Sequence, residues 1–241
     1  MNYGLIFAGG TGTRMNSKGK PKQFLELHGK PIIIYTIEHF DAHPEIDGIC
    51  LVILKEWLDY TANLIQKYNV KKVKWLVSGG NSALESQYNG LNTIRSSNNY
   101  SGEDIILIHD GVRPLINDQL ISRCITGVKE YGSAITVAPA IETIIRADKN
   151  NIIKDTFQRS ECQLARAPQC FYMSDIVGVH NRARGEGIYD FVDSASMMLH
   201  YGYKLHTVEG PSENIKVTSP TDFYICRALL DAKENSQIFG V

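Results

Sequence analysis

The chain has 241 residues, 43% of them hydrophobic and 21% charged, with a formal net charge of -1 at pH 7; it is long enough for one sizeable core and carries no overall field that would gather DNA or RNA, so nucleic acid is not an expected partner. No apolar run approaches the roughly 20 residues of a membrane span and the N-terminus lacks a basic-then-apolar leader, so no membrane partner and a cytoplasmic location are expected. Five cysteines with no C-x-x-C pair argue against a disulfide framework or a structural zinc site.

The first predicted element is a short apolar strand, Leu5-Ile6-Phe7, which runs straight into Ala8-Gly9-Gly10-Thr11-Gly12-Thr13-Arg14. Glycines at these positions let backbone N–H groups approach an anion closely. Arg14 and Lys22 add a planar fork and a compact point charge, both suited to phosphate oxygens. A glycine-rich surface turn is the plainer reading, but the position after a strand and the two cations favour a phosphate cradle. Any anionic ligand of so neutral a chain must meet such a local cluster.

A helix is predicted from Pro31 to Phe40, with Ile33, Ile37 and Phe40 on one face, then a strand from Gly48 to Leu54 and a helix from Trp57 to Tyr68. A strand from Val73 to Val77 leads through Ser78-Gly79-Gly80-Asn81-Ser82 into a helix running to Leu91, and a strand from Asp104 to Ile108 ends in His109-Asp110-Gly111-Val112-Arg113-Pro114. Asp118 is a plausible N-cap for a helix that buries Ile121, Cys124, Ile125 and Val128 and is closed by Gly132, before a strand from Ala134 to Ala138. This alternation predicts one α/β domain over residues 1–241, a doubly wound, mostly parallel Rossmann-like sheet. Its three chemically loaded loops, after Phe7, Val77 and Ile108, then fall at carboxyl ends of strands, where such sheets bind ligands.

From about 141 to 166 the rhythm changes. Glu142–Ala147 and Asn151–Asp155 read as short strands around Asp148-Lys149-Asn150, a projecting β-hairpin arm that either folds back or embraces a second subunit. Helices at Met173 to about Arg184 and Ser194 to His200, a strand at Leu205–Val208 and a closing helix capped by Ser219 or Thr221 complete the chain.

Asp110, where a strand ends, is placed to hold a divalent cation such as Mg²⁺ against phosphates; a capping or turn aspartate is the alternative. His109 lacks an accompanying nucleophile and reads as a loop histidine bonded to backbone. Lys216, in Asn214-Ile215-Lys216-Val217-Thr218, sits in a strand-like segment that alternation would turn opposite to Ile215 and Val217.

Together these pieces resemble the cytidylyltransferases that act on sugar-alcohol phosphates. The matching segments are AGGTGTRM at Ala8 to Met15, PKQFLEL at Pro21 to Leu27, HDGVRP at His109 to Pro114, APQCF at Ala167 to Phe171 and VEGPSENIKVTSPTD at Val208 to Asp222, in family order over nearly the whole chain. Two subfamilies compete, the ribitol-5-phosphate enzymes and the 2-C-methyl-D-erythritol 4-phosphate enzymes of isoprenoid synthesis. The opening GGTGTRM looks more like the former.

The resemblance implies CTP and a polyol phosphate as substrates, Mg²⁺ as cofactor, and a homodimer formed through the arm. By the family pattern, Ala8, Gly9, Gly10, Thr11, Gly12 and Thr13 cradle the CTP phosphates, Arg14 and Lys22 neutralise them, and Gly79, Gly80 and Ser86 belong to the loop that holds cytosine and ribose. Asp110 corresponds to a residue near metal and acceptor, and Lys216 to the lysine of the polyol-phosphate site. Thr143 and Arg159 correspond to arm residues that reach the neighbouring subunit's substrate phosphate. Two positions depart from the pattern: Ala83 stands where an arginine is common, and Ala167 replaces a threonine that helps bind substrate phosphate. They leave open a catalytically inactive nucleotide-binding protein. A dinucleotide-dependent oxidoreductase is disfavoured, because G-G-x-G followed by arginine lacks the G-x-G-x-x-G spacing and its acidic partner.

Overall fold

The structure, a computed structural model, describes residues 1–10, 19–97 and 100–239, the last four by backbone alone. In chain order it comprises β1 (Asn2–Ala8), a small hairpin of β2 (Glu26–Leu27) and β3 (Lys30–Pro31), α1 (Ile32–Ala42), β4 (Gly48–Ile53), α2 (Leu58–Lys67), β5 (Val73–Ser78) and α3 (Ala83–Arg95). Then come β6 (Ile105–Asp110), α4 (Asp118–Tyr131), β7 (Ser133–Pro139), the arm strands β8 (Ile145–Ala147) and β9 (Ile153–Thr156), β10 (Gln163–Tyr172), α5 (Met173–Gly185), α6 (Ser194–His200), β11 (Thr207–Glu209) and α7 (Pro220–Phe239).

Seven strands form one sheet in the order β11-β7-β10-β6-β1-β4-β5. The pairs of β1 with β4 and β6, β4 with β5, and β11 with β7 are parallel, while β10 runs antiparallel to both its neighbours. Parallel central strands must be covered on both faces, and β4 and β6 are buried at every position. Successive residues go to opposite cores: Ile6, Leu51 and Leu107 to one, Leu5, Val52 and Ile108 to the other. The first is roofed by α1, α2 and α4 through Ile37, Phe40, Leu64, Ile121 and Ile125; the second by α3, α5 and α6 through Leu91, Ile94, Ile176 and Met197. Full burial of each such side chain contributes about 1.5–3 kcal/mol. The mostly parallel, doubly wound architecture is therefore as expected.

Several local expectations are corrected. Pro31 closes β3 and caps α1 instead of opening it, because its extended ψ of 139° precedes the helix. Asn117, not Asp118, caps α4, its side chain accepting from the Leu120 N–H at 2.9 Å; the chain does end that helix on Gly132, left-handed at φ 83°. Ser219 is the cap of α7, exchanging hydrogen bonds with Asp222. The stretch from Gln163 to Tyr172 is a ten-residue strand inserted between β7 and β6, so the predicted arm overlaps its start. The segment around Lys216 is a loop, not a strand, although Val217 is buried and Lys216 is exposed as alternation requires.

His109 likewise lies in β6, not in a loop, fully buried with its Nε2 at 3.3 Å from the Arg113 carbonyl and its Nδ1 without a partner. Burial drives its pKa down to about 3, and the same cause takes buried His180 of α5 to about 4. Both are neutral in the folded chain near pH 5 but protonated in the unfolded one, whose histidines titrate near 6.5. Their stabilising contribution is thus complete above about pH 6.5 and is lost as pH falls toward 4 and 3. Between pH 7 and pH 5 we expect each to remove about 2 kcal/mol of folding free energy. Urea unfolding at the two pH values checks this, and equal stabilities would contradict it.

Candidate active site

At the carboxyl ends of β1, β5 and β6 lies a cleft of two adjoining lobes. One, of about 260 Å³, is lined by residues after β1 and β5, including Ala8, Gly9, Gly10, Gly80 and Ser86, together with Lys22. The other, of about 200 Å³, lies toward β10 and includes Arg113, Arg166, Ala167 and Gln169. Phe7, Ala83, Asp110 and Lys216 line both and form the wall between them.

The first lobe is assembled from small, committed groups. Ser86, buried on the first turn of α3, donates to the Ser82 carbonyl at 2.8 Å and accepts from the Gly80 N–H at 3.0 Å. Its hydroxyl therefore pins the loop after β5. The loops after β1 and β5 also meet at this hydroxyl: a Cβ on Gly9 or on Gly79 would stand 3.0 or 3.1 Å from its oxygen, which is why neither position carries a side chain. Ser82 caps α3 through the Glu85 N–H.

Lys22 reaches the same lobe from a 3-10 turn, Lys22–Phe24, whose other members explain its placement. Gln23, buried, donates from Nε2 to the Ala8 carbonyl at 2.7 Å, clipping the turn to the end of β1. Phe24 is fully buried and stacks on Trp57 with ring centroids 4.9 Å apart, with Tyr60 edge-on at 5.1 Å.

Asp110 ends β6 and is the charged centre of the cleft. Its Oδ2 accepts from Arg113 Nε at 2.8 Å and its Oδ1 pairs with Lys216 Nζ at 2.5 Å. Burial alone would raise its pKa, but Lys216 and then Arg113 outweigh that and hold it at about 2. Lys216 is delivered by its neighbours: Val217 is buried against Leu27, Ile32 and Val112, and its N–H donates to the Val112 carbonyl at 2.9 Å. Asn214, fully buried, donates from Nδ2 to the Ala167 carbonyl at 2.7 Å, while its own carbonyl takes Arg113 Nη1 at 2.9 Å.

Of the residues singled out from sequence, Ala8, Gly9, Gly10, Gly80, Ser86, Lys22, Asp110 and Lys216 come together here, with Gly79 against Ser86. Thr11, Gly12, Thr13 and Arg14 lie outside the described residues. Thr143 and Arg159 are exposed on the arm and line neither lobe of their own chain. Sequence reasoning passed over Gln23, Arg113, Arg166 and Asn214. Gln23, Arg113 and Asn214 lie inside motifs already quoted, whereas nothing local marks Arg166.

Asp110 is the one carboxylate on the first lobe among the described residues. Each of its oxygens already takes a hydrogen bond and keeps a lone pair. It suits a Mg²⁺ ion bound by a single protein carboxylate, with phosphate oxygens and water completing the shell.

The chain was compared with known proteins. Residues 3–232 match the family described as IspD, 2-C-methyl-D-erythritol 4-phosphate cytidylyltransferase. A ribitol-5-phosphate cytidylyltransferase of Vibrio parahaemolyticus is 49% identical over 240 residues, covering all of both chains. A 2-C-methyl-D-erythritol 4-phosphate cytidylyltransferase of Clostridium novyi is 36% identical over 95% of this chain and 96% of its own. The crystal structure of 4-diphosphocytidyl-2C-methyl-D-erythritol synthase from Anaerococcus prevotii superposes with a TM-score of 0.83 over 95% of this chain and 96% of that one, at 23% identity, a likeness of fold.

Proposed function

The chain belongs to the 2-C-methyl-D-erythritol 4-phosphate cytidylyltransferase (IspD) family, and from that premise we propose that it transfers the CMP unit of CTP to D-ribitol 5-phosphate, releasing pyrophosphate and forming CDP-ribitol. The observation that carries the acceptor is the 49% identity over full length with a ribitol-5-phosphate enzyme, against 36% for a methylerythritol-phosphate enzyme. The alternative acceptor is 2-C-methyl-D-erythritol 4-phosphate. CTP and phosphorylated polyols are cytoplasmic metabolites, which puts the reaction in that compartment.

In this reading the lobe beside Gly9, Gly80 and Ser86 takes CTP, the lobe beside Arg113 takes the polyol phosphate, and Asp110 and Lys216 stand between them. An oxygen of the acceptor phosphate attacks the α-phosphorus in line, and the bond to the β-phosphate oxygen breaks. That oxygen is already anionic, so no general base is required; Asp110, with a pKa of about 2, is too weak a base to serve as one. It instead fixes the ammonium of Lys216 where the two phosphates meet. Lys22 and the loop N–H groups neutralise the charge that develops on the departing pyrophosphate, with Arg14 as a second cation. Mg²⁺ held at Asp110 would supply further charge neutralisation and orient the triphosphate.

The test is a pyrophosphate-release assay with CTP and each acceptor side by side. We expect kcat/KM with D-ribitol 5-phosphate to exceed that with methylerythritol phosphate by about tenfold or more. The reverse preference would overturn the acceptor, and saturable CTP binding without turnover on either would overturn the activity.

The arm exposes Ile145, Ile152, Ile153 and Phe157 together, an apolar surface suited to a second copy of the chain. We place Thr143 and Arg159 of one subunit at the acceptor phosphate of the other. Arg159→Ala and Lys22→Ala variants, each impaired alone, should then recover activity when mixed and re-equilibrated, because one shared site regains both groups. A fully active monomer in sedimentation would remove the dimer and the shared site alike.

A further inference from the structure

The acceptor lobe holds one guanidinium that no carboxylate among the described residues matches. Arg166 sits on β10 immediately before Ala167-Pro168, where the pairing of β10 with β7 shifts register between Ala165 and Gln169. Its side chain is half-buried and lines the lobe. Nη1 donates to the Asn214 carbonyl at 2.8 Å, the same oxygen that takes Arg113 Nη1 at 2.9 Å. Nε is buried without any partner.

Two guanidinium groups are thus gathered on one carbonyl, and their treatment differs. Arg113 is matched by Asp110 at 2.8 Å. Arg166 forms no ion pair among the described residues; Glu213 acts on it only from a distance. The remaining charges of the lobe are Lys216, Asp110 and Asp193. Asp110 is shared by Arg113 and Lys216, and Asp193 is occupied in capping α6 and accepting from Gln169 Nε2 at 2.7 Å. The unmatched charge is therefore Arg166. Burial and the nearby Arg113 both disfavour its charged form. An anion entering the lobe offsets both.

We propose that Arg166 binds the phosphate of the polyol-phosphate acceptor from within the same chain, its remaining Nη N–H groups forming a fork on two phosphate oxygens, and that it sets the enzyme's demand for a phosphorylated acceptor. This rests on the cytidylyltransferase reading above.

The experiment compares the wild-type protein with Arg166→Gln and Arg166→Lys. For the polyol phosphate that the wild type turns over, R166Q should raise the acceptor KM by about 10- to 100-fold, with the CTP KM changed by no more than about twofold; R166K should recover part of the loss. With CTP saturating the first lobe, inorganic phosphate titrated calorimetrically should bind the wild type and not R166Q. An acceptor KM and phosphate binding both unchanged in R166Q would overturn the proposal. So would acceptor and CTP KM values rising together with a lowered Tm, the signature of a mere brace for Asn214. If the wild type turns over no polyol phosphate, the proposed activity fails, and the phosphate titration still decides the role of Arg166.

Discussion

Replacing Lys22 with alanine is expected to lower kcat/KM for CTP by about 10²- to 10³-fold while leaving the fold intact, the loss typical of removing one preorganised donor from a developing charge. The turn that carries Lys22 is held without it. Gln23 is clipped to the Ala8 carbonyl, and Phe24 is stacked on Trp57. The side chain is thus presented to the first lobe by neighbours that survive the substitution. The deficit should appear in the rate of pyrophosphate release, with Tm changed by only a few degrees. Turnover within about threefold of wild type would mean that Lys22 does not meet the triphosphate.

The second large effect concerns Asp110, where stability and activity part company. Asp110→Ala should cost about 3–5 kcal/mol of folding free energy, because it leaves the buried guanidinium of Arg113 without its carboxylate. It should also abolish most activity, since both Lys216 and Arg113 lose the anchor that aims them. Lys216→Met removes only the more exposed partner, 41% accessible at its side chain, and leaves the Arg113 pair in place. Its stability should stay near wild type while turnover falls about 10²-fold. Urea unfolding and pyrophosphate release on the two variants separate the roles. Equal stability losses would show that Lys216 is mainly structural.

The acid dependence expected from His109 and His180 lies above the range in which Asp110 titrates. Asp110 has a depressed pKa, so its contribution is complete above about pH 4 and is lost only as pH falls toward 2. A stability loss between pH 7 and pH 5 therefore reports on the histidines and not on Asp110.

Most of the central sheet was legible because its strands are continuous apolar runs such as Gly48–Ile53, separated by helices with an apolar stripe. β10 was not. Its Ala165-Arg166-Ala167-Pro168-Gln169 core lacks both an apolar run and a clean alternation, and a strand inserted antiparallel between two distant partners leaves no local trace. The cap of α4 was missed by one residue, since Asn117 and Asp118 are both good caps and only backbone geometry chooses between them. The arm was legible as a turn-linked pair of β-rich segments that projects with an exposed apolar face, and its isoleucines are indeed exposed.

The residues by themselves determined the α/β class, the glycine loop at the end of β1 and the grouping of Lys22 with that loop, because each is written in a contiguous motif; transfer to a phosphorylated polyol followed from the resemblance those motifs carry. Only the tertiary structure decided how the charges are spent. It placed the Ser86 hydroxyl on its own loop, neutralised Asp110 with Lys216 and Arg113, and brought Arg113 and Arg166 from 101 and 48 residues away onto the carbonyl of Asn214. Pairings at such separations follow from strand order and buried anchors such as Val217, which local propensity does not encode.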